Sequence, residues 1–273
     1  MSYSMTPSRR TIIMSAISQP SPNDQHSRIY EPDQDGNLVA MGGQSNGAQA
    51  PGPSLTAIHG ALRAFITHDA YPCVGAKSAL NKKSYRLAQY QSMGDVESIR
   101  ACTADVQWFA QAADTIDQQA ATFIAVFDDP TITDEAKFEE RLWSQLRGMH
   151  TIDSARFPWD PSVSSDPDDP DFSFSIGGHA FFIIGMHPHA TREARRFPYP
   201  TLVFNLHTQF VQLRESGTFE QMKSVIRSRE AQLQGEPNPL VADHGTKSEA
   251  IQYAGRAHKC PWHAPFSART PAE

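Results

Sequence analysis

The sequence is poor in cysteine, lacks long apolar runs and has no excess of basic charge, and each shortage excludes a class of protein. Its 273 residues include only three cysteines, too few and too scattered for a disulfide framework or a thiolate zinc site. The 24 Lys and Arg residues against 30 Asp and Glu residues give a formal net charge of -6. A mildly acidic chain has no field that attracts a polyanion, so we expect neither nucleic acid nor an anionic membrane as a partner.

Apolar runs are also too short for a membrane span or an export signal. No run approaches the roughly 20 apolar residues that cross a bilayer. The N-terminal segment contains only a short apolar patch at residues 11–14, whereas a secretory signal has an apolar region of roughly 7–15 residues. We therefore expect a protein of the reducing cytoplasm.

Composition divides the chain into a polar N-terminal segment and one folded domain. Residues 1–52 are rich in Ser, Gln, Asn, Gly and Pro. Such a segment buries too little apolar surface to offset the entropy that it loses on ordering. We predict that residues 1–52 form a disordered arm and that residues 53–273 form a single domain.

Hydrophobic periodicity within that domain predicts amphipathic helices and short apolar strands. The helices begin near Ser54, Val96, Thr133 and Phe219, and the strands cover residues 122–127, 180–187 and 201–207. The acidic segment 166–171 contains prolines and is predicted to be a loop. Because helices and strands do not alternate regularly, we predict an α+β fold with a small, largely antiparallel sheet packed by amphipathic helices.

Histidines at the ends of two apolar strands are the first candidates for chemistry. His187 and His207 each end such a strand, and a strand end presents side chains to a site from a buried scaffold. Imidazole is the commonest metal ligand in proteins. The alternative interpretation is that one histidine is a satisfied core residue and that the other faces a loop.

The spacing of His187, His189 and Glu193 offers a second metal hypothesis. A His-x-His-x3-Glu sequence is the first ligand motif of some non-haem iron sites, and His207 would complete the ligand set. Phe181 stands where such sites place a glycine, and no second motif is visible. On the spacing of these ligands, a non-haem iron oxygenase is nevertheless an alternative function.

A group of arginines and a C-terminal cysteine complete the candidates. Arg192, Arg195 and Arg196 follow His187 within nine residues, and guanidinium groups pair with cofactor or substrate carboxylates. The alternative is a solvated turn with local ion pairs. Cys260 precedes a proline, as in some haem-binding segments, although a free cysteine is usually a small buried apolar residue.

Short blocks of residues, found in order along the chain, resemble the YqcI/YcgG family. They include Gly185-Met-His-Pro188 and Phe204-Asn-Leu-His-Thr-Gln-Phe210, and the others are residues 71–79, 138–143, 195–197, 238–240, 248–250 and 252–256. The resemblance extends over about residues 55–266 and does not include the N-terminal arm.

The resemblance implies a haem-dependent oxygenase. Characterised relatives N-hydroxylate guanidino groups, as in the arginine N-hydroxylase of D-cycloserine biosynthesis and the hydroxylase of guanitoxin biosynthesis. The expected reaction here is conversion of L-arginine to N-hydroxy-L-arginine with haem b, O2 and electrons from an external donor or reductase. A non-enzymatic haem sensor or carrier is the other alternative, and a homodimer is possible in either case.

Roles for individual residues follow from this expectation. We predict His187 as the iron ligand, with His207 as the first alternative, which would otherwise line the distal pocket, and Cys260 as the second. Gly185 before His187 is expected to admit a flat macrocycle close to the backbone. Carboxylates must orient a cationic guanidinium, and the candidates are Asp166, Asp168, Asp169, Glu215 and Glu249. The three arginines are expected to hold the haem propionates.

Overall fold

The structure is a computed structural model that describes residues 28–41, 53–112, 121–240, 247–258 and 261–268. Within these ranges no helix is both long enough and apolar enough to cross a membrane. In chain order the elements are β1 (Tyr30–Pro32), β2 (Leu38–Ala40), α1 (Pro53–Thr67), α2 (Val74–Lys82), β3 (Tyr85–Tyr90), α3 (Val96–Ala112), β4 (Thr122–Phe127), α4 (Glu135–Asp153), β5 (Phe174–Ile176), β6 (His179–Met186), β7 (Thr201–Leu206), α5 (His207–Glu215), α6 (Thr218–Gln234) and α7 (Ala250–Tyr253).

The strands in the described part of the chain form one seven-stranded sheet. Its order is β2-β1-β3-β4-β7-β6-β5. Strands β3 and β4 pair in parallel, and every other neighbouring pair is antiparallel. The prediction of an α+β fold with a largely antiparallel sheet is therefore confirmed.

Helices cover both faces of the sheet, and the alternation of side chains along β4 shows this directly. Phe123, Ala125 and Phe127 belong to the core formed with α3 and α4. Ile124 and Val126 belong to the opposite core, formed with α1 and α2. Successive side chains of a strand point to opposite faces. A strand that is buried throughout, as β4 is, therefore needs a layer on each side.

Local signals explain where the central elements begin and end. Helix α4 begins after Asp134, whose side chain accepts a hydrogen bond from the backbone N–H of Lys137 at 2.7 Å. The predicted start, Thr133, lies one residue before the residue that caps the helix, because Asp134 holds the extended conformation of a capping residue. Helix α6 ends at Gly235, which adopts a left-handed conformation as a C-terminal glycine commonly does.

The expectation of a disordered arm is wrong for residues 28–41. These residues form a β-hairpin, β1–β2, whose first strand pairs with β3. Asp33 Oδ1 closes the turn by accepting hydrogen bonds from two backbone N–H groups. Ile29 is fully buried, and Arg28 forms an ion pair of 2.8 Å with buried Asp105. The average composition of the segment concealed this local pattern, and the rest of the predicted arm lies outside the described residues.

We expect the hairpin to contribute measurably to stability. Leu38 is 7% exposed and Val39, the next residue on the same strand, is 40% exposed. Leu38→Ala should lower the free energy of unfolding by about 2–5 kcal/mol, because it removes buried methyl groups and leaves a cavity. Val39→Ala is the matched control and should change it by less than about 0.5 kcal/mol. Urea unfolding measures both variants, and equal small effects would show that the hairpin is not part of the folded core.

Candidate functional site

A cavity of about 580 Å³ lies between the sheet and the helices on the face opposite α3 and α4. Its floor is the sheet, and its walls come from α1, α2, α5, α6 and the loop that precedes β5. The floor residues include Ile124, Phe182, Ile184, Met186, Val203 and Asn205. The volume lies within the range of about 300–1,000 Å³ that is typical of pockets for cofactors and small ligands.

The alternation of side chains along β6 and β7 decides which of the two candidate histidines meets this cavity. On β6, Phe182, Ile184 and Met186 line the cavity, whereas Phe181 and Ile183 point into the opposite core. His187 continues the second series. His207, the first residue of α5, lines the cavity.

His187 is a core residue on the α4 side of the sheet. Its ring stacks on Phe138 with centroids 4.2 Å apart and an angle of 20° between the planes. The side chain is 1% exposed, and neither ring nitrogen forms a hydrogen bond with any residue in the described ranges. Burial lowers the pKa of His187 to about 4, so the imidazole is neutral at pH 7. The predicted iron ligand is therefore not brought to the cavity.

Gly185 also serves the core rather than a ligand. A Cβ atom at this position would lie 2.6 Å from a ring carbon of Phe138 and 2.7 Å from the carbonyl oxygen of Tyr253. The missing side chain thus lets α4 and α7 approach β6. The structure shows no macrocycle-facing role for Gly185, which differs from our expectation.

The three clustered arginines have three different environments. Arg192 is buried and pairs with Glu230 at 3.1 Å and with Glu236 at 3.5 Å. Arg196 is exposed and pairs with Glu193 at 2.7 Å. Arg195 lines the cavity. Arg192 therefore forms a structural ion pair and Arg196 belongs to a surface turn, whereas Arg195 has neither environment.

Arg195 is a cation held by carbonyl groups. Its Nη1 donates hydrogen bonds to the carbonyl oxygens of Gly185 at 3.0 Å and Tyr253 at 3.3 Å. Among the described residues, no carboxylate lies within 4.0 Å of its guanidinium. Burial lowers its pKa, and the neighbouring Tyr71 and Glu230 oppose this shift. A cation in this position attracts the carboxylate of a bound molecule.

Of the predicted carboxylates, the loop residues and Glu215 lie away from the cavity. Asp166 and Asp169 accept hydrogen bonds from backbone N–H groups of their own loop. Asp168 is exposed and contacts His263 at 2.8 Å. Glu215 is exposed at the end of α5. These four carboxylates are not among the residues that line the cavity.

Glu249 is the predicted carboxylate that lines the cavity. Its Oε1 accepts hydrogen bonds from Ser173 Oγ at 2.7 Å and from the Tyr253 hydroxyl at 2.6 Å. Burial raises the pKa of Glu249 to about 7, although these two hydrogen bonds and the field of Arg214 lower it. The carboxyl group therefore titrates near neutral pH.

The residues of the non-haem iron hypothesis do not come together. His189 is exposed, and Glu193 is engaged with Arg196. Within the described ranges, no three His, Cys, Asp or Glu side chains are grouped so that they could hold a metal ion. The set of His187, His189, Glu193 and His207 is therefore not assembled. Cys260 lies outside the described residues.

Sequence reasoning missed the cavity wall that α5 provides. His207, Phe210 and Arg214 all line the cavity, and their spacing of three and seven residues places them on one face of a helix. Arg214 lies over the ring of Phe219, with its guanidinium carbon 5.7 Å from the centroid. The periodicity was therefore visible in the sequence, but the segment reads equally well as the end of a strand.

The fold and the cavity together define a class, an α+β protein with a sheet covered on both faces and a charge-lined cavity on one of them. The model of the YqcI/YcgG family matches residues 62–267, which is more than half of the chain. The chain therefore belongs to the YqcI/YcgG family, and the matched range contains all the described residues that line the cavity. No curated protein and no solved structure matches the chain significantly.

The raised pKa of Glu249 predicts a pH-dependent cost to stability. Its pKa rises from 4.5 in the unfolded chain to about 7 in the folded protein. Between these values the folded state binds more protons, so stability falls as pH rises. Glu249→Gln should remove up to about 3 kcal/mol of this loss between pH 5 and pH 8. Urea unfolding at both pH values measures it, with exposed Glu215→Gln as the control. Parallel pH profiles for wild type and Glu249→Gln would contradict the prediction.

Proposed function

We propose that this protein is a haem-dependent monooxygenase that N-hydroxylates a guanidino group, most simply converting L-arginine to N-hydroxy-L-arginine with O2 and external electrons. Family membership supports the proposal. The observation that carries it is that one largely apolar cavity presents an imidazole, a cation that has no carboxylate partner among the described residues, and a half-buried carboxylate. These groups are His207, Arg195 and Glu249.

The residues of the cavity fit a haem b. A haem needs an axial donor, cations for its propionates and an apolar surround. His207 offers the donor, Arg195 offers the cation, and Ile124, Ile184 and Val203 are part of the apolar floor. We assign the iron ligand to His207 rather than to His187, because His187 packs on Phe138 on the other face of the sheet.

The chain's own residues would then have separate tasks. Bound haem would supply the activation of O2 that a guanidino nitrogen requires. His207 would hold the iron from the junction of β7 and α5, where a buried strand fixes the backbone. Arg195 would hold a carboxylate while the carbonyls of Gly185 and Tyr253 fix its guanidinium. The apolar floor would exclude water from the reacting nitrogen.

The absorption spectrum of protein expressed with a haem precursor tests the ligand assignment. We expect a Soret band in wild-type protein and its loss or marked shift in His207→Ala, with recovery on addition of imidazole. His189→Ala is the matched control, because His189 is exposed, and its spectrum should match that of wild type. A spectrum that is unaltered in His207→Ala but lost in His187→Leu would return the ligand role to His187.

Turnover separates the proposed enzyme from its alternatives. Protein incubated with L-arginine, reductant and O2 should yield a product that contains one added oxygen atom, measured by mass spectrometry. Iron without a Soret band would instead indicate a non-haem oxygenase. Bound haem without any product would indicate a sensor or carrier.

Arg195 and Arg196 offer a matched pair for testing the carboxylate anchor. Arg195→Met should lower haem retention at least about 10-fold, because it removes the cation that lines the cavity. Arg196→Met should retain haem as wild type does, since Arg196 pairs with Glu193 on the surface. Transfer of haem to apomyoglobin measures retention. Equal retention in both variants would remove Arg195 from the proposed site.

A further inference from the structure

Among the described residues, hydrogen-bond donors reach one of the two oxygens of the Glu249 carboxylate. Oε1 accepts two hydrogen bonds, from the hydroxyl groups of Ser173 and Tyr253. A carboxylate oxygen has two lone pairs, so these donors fill Oε1. Oε2 has no hydrogen bond with any residue in the described part of the chain, and Glu249 lines the cavity. Oε2 is therefore the oxygen of Glu249 that is left to accept a hydrogen bond from a molecule in the cavity.

The protein provides no ion pair for this carboxylate within the described ranges. The cation that acts on Glu249 is Arg214, but its guanidinium lies over the ring of Phe219 and no nitrogen of it is within 4.0 Å of Glu249. A buried carboxylate without a cation is costly, and it is relieved either by protonation or by a bound cation. The raised pKa of Glu249 reflects the first of these.

We propose that Glu249 binds the cationic head of the ligand through Oε2 alone. This inference rests on the proposed function, in which the head is a guanidinium with several N–H donors. An end-on carboxylate fork would hold both terminal nitrogens of the guanidinium at once, whereas contact through a single oxygen leaves a terminal nitrogen outside the contact. That terminal nitrogen is then available for hydroxylation. Ser173 and Tyr253 act through Glu249 and are positioning residues.

Binding of such a cation is coupled to loss of a proton. At pH 6 the Glu249 carboxyl is mostly protonated, since burial raises its pKa to about 7. The groups around it are the Tyr253 phenol on α7, the helix that Glu249 precedes, and Arg214 on α5, while Lys247 and Asp171 also line the cavity. A guanidinium stays charged at this pH, so it must displace the proton from Glu249 when it binds.

Calorimetry with L-arginine and L-citrulline tests the inference without requiring turnover. Citrulline replaces the guanidinium with a neutral group of the same shape. Glu249→Gln should weaken arginine binding at least about 30-fold and citrulline binding less than about 3-fold. At pH 6 in buffers of different ionisation enthalpy, wild-type protein should release about one proton per arginine, and Glu249→Gln should release none. Glu215→Gln should behave as wild type.

Other outcomes overturn the inference. Equal losses for arginine and citrulline would mean that Glu249 is structural. Arginine binding that is unchanged in Glu249→Gln, or absent from the wild-type protein, would remove Glu249 as the cation site. Ser173→Ala should weaken arginine binding several-fold and keep proton release, since the carboxylate remains but is less fixed. Arginine binding that depends on Glu249, without hydroxylation, would contradict only the proposed function. Hydroxylation with Glu249-independent binding would contradict only the inference drawn here.

Discussion

The alternation of side chains across a sheet that is covered on both faces is the constraint on which the rest of the structure depends. One face is closed by aromatic side chains of α3 and α4, among them Phe109, Phe138 and Trp143. The other face supports the cavity. A residue of β6 or β7 therefore contributes either to the closed core or to the cavity floor, and a shift of one residue would exchange these roles. His187 and His207 are separated by this rule rather than by their chemistry.

The short strand β5 leaves part of the edge of β6 for helix α7 to contact. It pairs with β6 only from His179 to Phe181, which leaves the rest of that edge open to α7. Gly185 permits close contact there, since a side chain would collide with Phe138 and with the Tyr253 carbonyl. The carbonyl of Tyr253 then accepts a hydrogen bond from Arg195, and its hydroxyl donates one to Glu249. Tyr253 thus connects the closed core to Arg195 and Glu249, two of the charged residues that line the cavity.

Sequence reasoning was most successful for elements whose pattern of apolar residues follows directly from their burial. The strand predicted at residues 122–127 and the helix predicted to begin near Phe219 match β4 and α6, because their apolar patterns are set locally. The hairpin at residues 28–41 was missed because Ile29 and Leu38 gain their burial from distant elements. For the site, strands that are apolar on both faces carry no sign of which face is which. The tertiary arrangement was needed to show that His207, and not His187, lines the cavity.

Arg195 and Glu249, two of the charged residues that line the cavity, do not neutralise each other. The Tyr253 hydroxyl that binds Glu249 lies at the Phe181 carbonyl, and Arg195 lies at the Gly185 carbonyl. These carbonyls are four residues apart on β6, which corresponds to about 13 Å along an antiparallel strand. Over that distance opposite charges do not form a hydrogen-bonded pair, so each one is left with its desolvation cost. Bound molecules would remove both costs if a carboxylate met Arg195 and a cation met Glu249. In the proposed site, Arg195 and Glu249 would therefore act both on the stability of the fold and on the choice of ligand.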